Sequence, residues 1–230
     1  MTLIWGDEEP YFTEDLAIPL SERGLNLKLL HRSELMLGRV TKSKVFVMGD
    51  HSNTYFLCKA LGAKAVVSID AHTDLMRDEF DHASWLYFSL RDFLKKAAII
   101  APVLMIPSSP KTELGYFQDR VRIYPYRRRY FRRRRYMNLE DYSITEIVND
   151  LSSFLSGCQA HLTVDLDVLT PEYNHSRFQH GELGGNELLN VLEHLLSSLE
   201  VKSIDFSEVV DPDLDLLVDL ISTALSYLGG

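Results

Sequence analysis

Two apolar runs in this chain end in charged residues spaced two apart, and that device constrains the fold more than any other feature. Val66-Val67-Ser68-Ile69 leads into Asp70-Ala71-His72-Thr73-Asp74, and Leu162-Thr163-Val164 leads into Asp165-Leu166-Asp167. Side chains two apart on an extended chain share a face. Each run therefore aims its polar groups at one point beyond a strand end. Carboxylates and imidazoles gathered there are costly to bury unless a cation holds them together. The chain is expected to bring the two strand ends side by side around metal.

The rest of the sequence reads as repeated strand and helix. Thr2 to Gly6 is a buried strand, followed by a stretch without a clear pattern. Lys44 to Met48 is a strand ending in Gly49-Asp50-His51-Ser52, with Ser52 as N-cap of a helix over Thr54 to Leu61 that Gly62 closes. Ala65 to Ile69 is the next strand. The apolar spacing predicts a helix over Trp85 to Ala98 and a buried strand over Ile99 to Ile106. Arg120 to Tyr126 alternates as a half-exposed strand. Helices over Ile144 to Leu155, Glu187 to Leu199 and Leu214 to Leu228 alternate with strands over Ala160 to Leu166 and Val201 to Phe206. Such alternation means parallel βαβ units, with sites beyond the carboxyl ends of the strands. At 230 residues one domain, 1–230, is expected. No run approaches the roughly 20 apolar residues of a membrane span. Two cysteines outside any C-x-x-C pattern and an acidic, weakly apolar start point to a reducing, cytoplasmic setting.

In order, Gly49-Asp50-His51-Ser52, Asp70-Ala71-His72-Thr73-Asp74 and Asp165-Leu166-Asp167 resemble the three metal motifs of the arginase/agmatinase (ureohydrolase) family. The resemblance runs from about Lys44 to Pro212. It implies a three-layer α/β/α sandwich with a mainly parallel sheet, two Mn²⁺ and hydrolysis of a guanidino C–N bond to release urea. Carried over, one ion takes His51, Asp70, Asp74 and Asp165; the other takes His72, Asp70, Asp165 and Asp167. Oxygen-rich sites with one imidazole per ion suit Mn²⁺, and two such ions can acidify a shared water. Asp74 would orient that nucleophile. Ser203 to Pro212 resembles the family's late strand, whose glutamate, here Glu208, holds the substrate guanidinium. His82, in Asp81-His82-Ala83-Ser84, stands where the family has its proton carrier, with His175 and His180 as substitutes. Departures are Met48 and Ala83 where glycine is usual, Thr170 for aspartate, and a short loop from Leu75 to Asp81.

That loop offers Asp78, Glu79 and Asp81 against Arg77, which favours an amine such as agmatine over arginine; another amidino or formimino compound is the alternative. Histone-deacetylase-like amidohydrolases resemble the same fold but use adjacent histidines, and no His-His pair occurs here. The segment Tyr126 to Tyr136 holds seven arginines among aromatics. It reads as a subunit contact in a homo-oligomer, as an exposed loop, or as a nucleic-acid surface on a catalytically divergent member. The formal charge of −9 argues against nucleic acid.

Overall fold

The computed structural model describes residues 1–6, 14–40, 42–77, 79–103, 117, 119–131 and 136–229. The strands are β1 (Thr2–Trp5), β2 (Lys28–His31), β3 (Val45–Met48), β4 (Ala65–Ile69), β5 (Lys96–Ile100), β6 (Val121–Tyr124), β7 (Ala160–Asp165) and β8 (Val201–Ser207). They form one sheet in the order β2-β1-β3-β8-β7-β4-β5-β6, and every pairing is parallel. All strands therefore end on the same side of the molecule. The two strands that carry the acidic motifs, β4 and β7, are direct neighbours in register Ile69↔Val164. The two motifs emerge side by side.

The helices are α1 (Glu14–Glu22), α2 (Arg32–Met36), α3 (Asn53–Leu61), α4 (Trp85–Asp92), α5 (Ile144–Leu155), α6 (Gly185–Ser198) and α7 (Leu214–Leu228). Strand residues alternate between two apolar layers, as the period of two demands. Val47, Val67, Ile69, Val164 and Phe206 pack with α1, α5, α6 and α7. Val66 and Ile99 pack with α4, while Phe46 and Met48 pack against Leu35 of α2 and Leu57 of α3. These are the three layers of an α/β/α sandwich.

Several expectations need correction. The helix from Trp85 stops at Asp92, and the strand expected over Ile99 to Ile106 is instead Lys96–Ile100. Phe93 leaves the helical region at φ −152°, and Ala97, Ala98, Ile99 and Ile100 are buried beside β4 and β6. Residues 104–106 lie outside the described region. Ser52 makes no side-chain cap. The chain already turns at Asp50, whose carbonyl accepts from the Asn53 N–H at 3.1 Å. The Ser52 hydroxyl accepts from Arg32 Nη2 instead, at 2.9 Å. The unassigned stretch before β3 contains α1, β2 and α2.

Candidate metal centre

Each ligand candidate is delivered by a strand end. His51 follows β3; Asp70, Ala71, His72 and Asp74 follow β4; Asp165 closes β7, and Asp167 sits in the short 3₁₀ turn Leu166–Val168 beyond it. The local folding is held by backbone bonds to the acids themselves. The Asp167 N–H donates to Asp165 Oδ1 at 2.9 Å and the His72 N–H to Asp70 Oδ1 at 2.6 Å. Across the strands, the Ala71 N–H donates to Asp167 Oδ1 at 3.3 Å. The six side chains are between 1% and 7% exposed, a burial that four carboxylates tolerate only with compensating positive charge.

Two groupings emerge. His51 Nδ1 lies 2.8 Å from Asp165 Oδ2, 3.1 Å from Asp74 Oδ2 and 3.5 Å from Asp70 Oδ2. His72 Nδ1 lies 2.8 Å from Asp167 Oδ2 and 3.7 Å from Asp70 Oδ1. His51, Asp70 and Asp74 offer one compact set of ligand atoms, and Asp70, His72 and Asp167 offer another, all within 4.8 Å in each set. Asp70 belongs to both. Asp165 reaches His51 without completing either compact set.

Is the donor set fitted to a metal or merely to protons? His51 Nδ1 decides it. The atom is buried with three carboxylate oxygens 2.8, 3.1 and 3.5 Å away, the convergence of donors on one point that a metal ligand set has. Its other nitrogen, Nε2, is 3.0 Å from the Thr163 hydroxyl, the kind of outer partner that fixes an imidazole's orientation on an ion. Hard oxygen donors with one imidazole per set fit a divalent cation of the Mn²⁺ type.

The electrostatics without metal agree. Burial, followed by the neighbouring acids, pushes Asp70 and Asp167 well above the usual carboxylate range. Burial works to lower His51, but Asp165 and Asp74 outweigh it and raise the imidazole well above its ordinary value. Burial works to raise Asp165, but His51 holds it low. Protons stand in for cations here.

Glu208 closes the site from the β8 side. The His51 N–H donates to its Oε1 at 3.2 Å, while its Oε2 is buried without a partner. Burial first, then Asp165 and Asp50, pushes its carboxyl up to about 8. Asp74 and Glu208 both adopt left-handed backbone, φ 48° and 51°, strain that persists only where surrounding structure imposes it.

The loop histidines divide. His82 stacks on Phe178 with ring centroids 4.0 Å apart and planes at 23°. His175 is a surface residue 3.9 Å from Asp211. His180 is buried at Nδ1 without a partner, next to Gly181, whose N–H donates to the Asp167 carbonyl at 2.6 Å. Arg127 and Arg129 both pair with Glu182, at 2.7 and 3.3 Å. Arg132, Arg133, Arg134 and Arg135, together with Asp78, lie outside the described residues.

Sequence reasoning missed two supports. Trp85, read only as an apolar helix position, donates from Nε1 to Asp74 Oδ2 at 2.6 Å and packs its ring 4.8 Å from that of His51. Beneath His51 lies a polar ladder between β7 and β8, in register His161↔Ser203, Thr163↔Asp205 and Asp165↔Ser207. Thr163 donates to Asp205 Oδ1 at 2.7 Å, and His161 binds Asp205 Oδ2 at 2.6 Å and Ser203 Oγ at 2.7 Å. The signal was available: polar residues at every second position of two otherwise apolar strands.

A family model, that of the arginase family, matches residues 12–224. No curated protein sequence matches the chain. Among solved structures, proclavaminate amidino hydrolase from Streptomyces clavuligerus superposes with TM-score 0.66 at 17% identity, covering 99% of this chain and 91% of that one. A hypothetical agmatinase from Burkholderia thailandensis gives 0.69 at 16% identity, with 99% and 84% covered. Arginase from Bacillus subtilis gives 0.67 at 19%, with 100% and 98% covered. At such identities these likenesses establish the fold.

Proposed function

Because the chain belongs to the arginase family, a family of metal-dependent amidino hydrolases, we propose that it hydrolyses a guanidino C–N bond to urea and an amine at two Mn²⁺. His51, Asp70, Asp74 and Asp165 would hold one ion and His72, Asp70, Asp165 and Asp167 the other. Ions bound there supply Lewis-acid activation of water near neutral pH. The observation that carries this reading is His51 Nδ1, buried with the carboxylate oxygens of Asp165, Asp74 and Asp70 converging within 3.5 Å of it.

The remaining steps belong to the chain's own side chains. Glu208 Oε2 accepts N–H groups of the planar guanidinium, a charge-assisted contact that fixes the carbon's orientation. Arrival of that cation favours the ionised form of a carboxyl otherwise held up to about 8. Trp85 fixes the Asp74 carboxylate, which orients the attacking water. Water adds to the guanidino carbon, the C–N bond breaks, and His82 delivers a proton to the departing nitrogen. The ring of Phe178 holds His82 in place. Glu79 and Asp81 are exposed at the loop after Asp74 and favour a cationic tail, agmatine before arginine.

The test is urea release by Mn²⁺-loaded protein with agmatine and with arginine, each with and without chelator. Chelator-sensitive urea supports the reaction, and the preferred compound reports the tail. Silence with both, two ions still bound, would reject agmatine and arginine as substrates and move the question to other amidino and formimino compounds.

A further inference from the structure

At the opposite end of the sheet from the metal centre, five of the chain's nine lysines ring one cleft. Lys42, Lys44, Lys64, Lys95 and Lys202 line a cavity of about 520 Å³ with no acidic residue among the described residues of its walls, in a chain of net charge −9. The arrangement follows from topology. Strands β3, β8, β7, β4 and β5 are consecutive in the sheet, and Lys44, Lys64 and Lys95 each immediately precede a strand, while Lys202 is the second residue of β8. At about 4.8 Å per strand, the lysines span about 19 Å. The Lys95 N–H donates to the Lys64 carbonyl at 2.8 Å, which ties two of them together.

Helix ends do not account for all of this charge. The helices flanking these strands end here, each with about half a negative charge. Lys44 Nζ serves one, donating to the Leu228 carbonyl at 2.6 Å. Lys202 pairs with Glu200 at 3.0 Å. Lys42, Lys64 and Lys95 are exposed and form no ion pair among the described residues. The floor adds His161, whose two ring nitrogens are already taken by Ser203 and Asp205, so the lysines are the binding groups. Leu61, Gly62 and Ala63 supply an uncharged wall. The volume is that of a small-molecule site.

We infer that this cleft binds a small metabolite carrying two separated phosphate groups. The probes are inorganic phosphate, fructose 1,6-bisphosphate and adenosine 3′,5′-bisphosphate, titrated calorimetrically into the Mn²⁺-loaded full chain at fixed ionic strength. Saturable one-to-one binding is expected, with either bisphosphate at least about tenfold tighter than phosphate. Preference for the adenosine compound assigns the uncharged wall to a ring; equal binding assigns it to a sugar phosphate. The Lys42→Gln/Lys64→Gln/Lys95→Gln variant should lose binding at least about tenfold with an unchanged melting curve, each single variant moving the same way. Arg127→Gln/Arg129→Gln should bind as the parent does. Absence of saturable binding, binding undiminished by the lysine changes, or binding of duplex DNA without the bisphosphates would overturn the inference.

Discussion

Among the described residues, three non-glycine positions stand in left-handed backbone: Asp74, Ala101 and Glu208. Two of them belong to the candidate site, where their backbone sets the aim of a carboxylate. Left-handed Asp74 offers its carbonyl to the Tyr87 N–H of α4 at 3.1 Å while its carboxylate faces His51 and Trp85. Ala101, at φ 68°, is no ligand candidate; it sits fully buried just past the end of β5, where its N–H donates to the Tyr124 carbonyl of β6 at 2.8 Å. Ala101→Gly removes a side-chain clash of about 1–2 kcal/mol, partly offset by the freer unfolded chain. The net expectation is a gain of about 0.5–1 kcal/mol, read as a raised urea midpoint at constant slope. Trp85→Phe tests aim directly, because it keeps the ring on His51 and deletes only the N–H to Asp74. Losing such an outer partner costs about 10–100-fold in metal affinity or activity; competition between the protein and a chelating dye for Mn²⁺, with kcat alongside, measures both. The acids and histidines at the site were legible because their spacing repeats a strand's period. Trp85 was not, since its indole reads as core until its N–H is seen to face a carboxylate.

Elements were legible where a local signal ended them. Gly62 and Gly157 take φ of 69° and 76°, as left-handed helix stops do, and the helices before them end where the sequence says. The boundary after α4 carried no glycine or proline, so apolar residues of β5 read as a continuing helix. What ends α4 is tertiary. Arg120, just before β6, donates from Nη2 to the Leu90 carbonyl at 2.6 Å and to that of Leu94, and from Nε to the Lys95 carbonyl at 3.0 Å. A residue thirty positions away thus takes up the Leu90 carbonyl in the last turn of α4 and the Leu94 and Lys95 carbonyls of the turn that follows, and no local pattern could announce it. Arg120→Met keeps most of the aliphatic length and removes the donors. It should cost about 1.5–3 kcal/mol, the range for hydrogen bonds to a charged group, with the fast-exchanging amides confined to α4 and the start of β5. A loss spread evenly over the sheet would contradict the capping role.

For the whole molecule, the buried acids and histidines of the candidate metal centre make stability a function of pH, and the sign can be worked out. In the metal-free protein Asp70, Asp167 and Glu208 bind protons more tightly folded than unfolded. Between about 4.5, the usual glutamate value, and the value of about 8 that Glu208 reaches in the fold, the folded state holds a proton that the unfolded state has released. Stability must therefore fall as pH rises through that window. His51, also raised, stabilises fully below about 6.5 and loses its contribution as pH climbs through its folded value. Asp165 runs the other way, because its lowered carboxyl stabilises above its ordinary range and fails only in acid. The metal-free Tm is accordingly expected to decline from pH 5 to pH 8, by roughly 5 °C or more. Mn²⁺ held by these groups is expected to reverse the trend. It displaces the same protons, so the Tm increment on adding Mn²⁺ should grow with pH across the window. Scanning calorimetry at pH 5, 6, 7 and 8, with and without Mn²⁺, reads both slopes. A metal-free Tm that rose with pH would mean that the four acids are not crowded together. A flat Mn²⁺ increment would mean that the ion binds elsewhere than where β4 and β7 end.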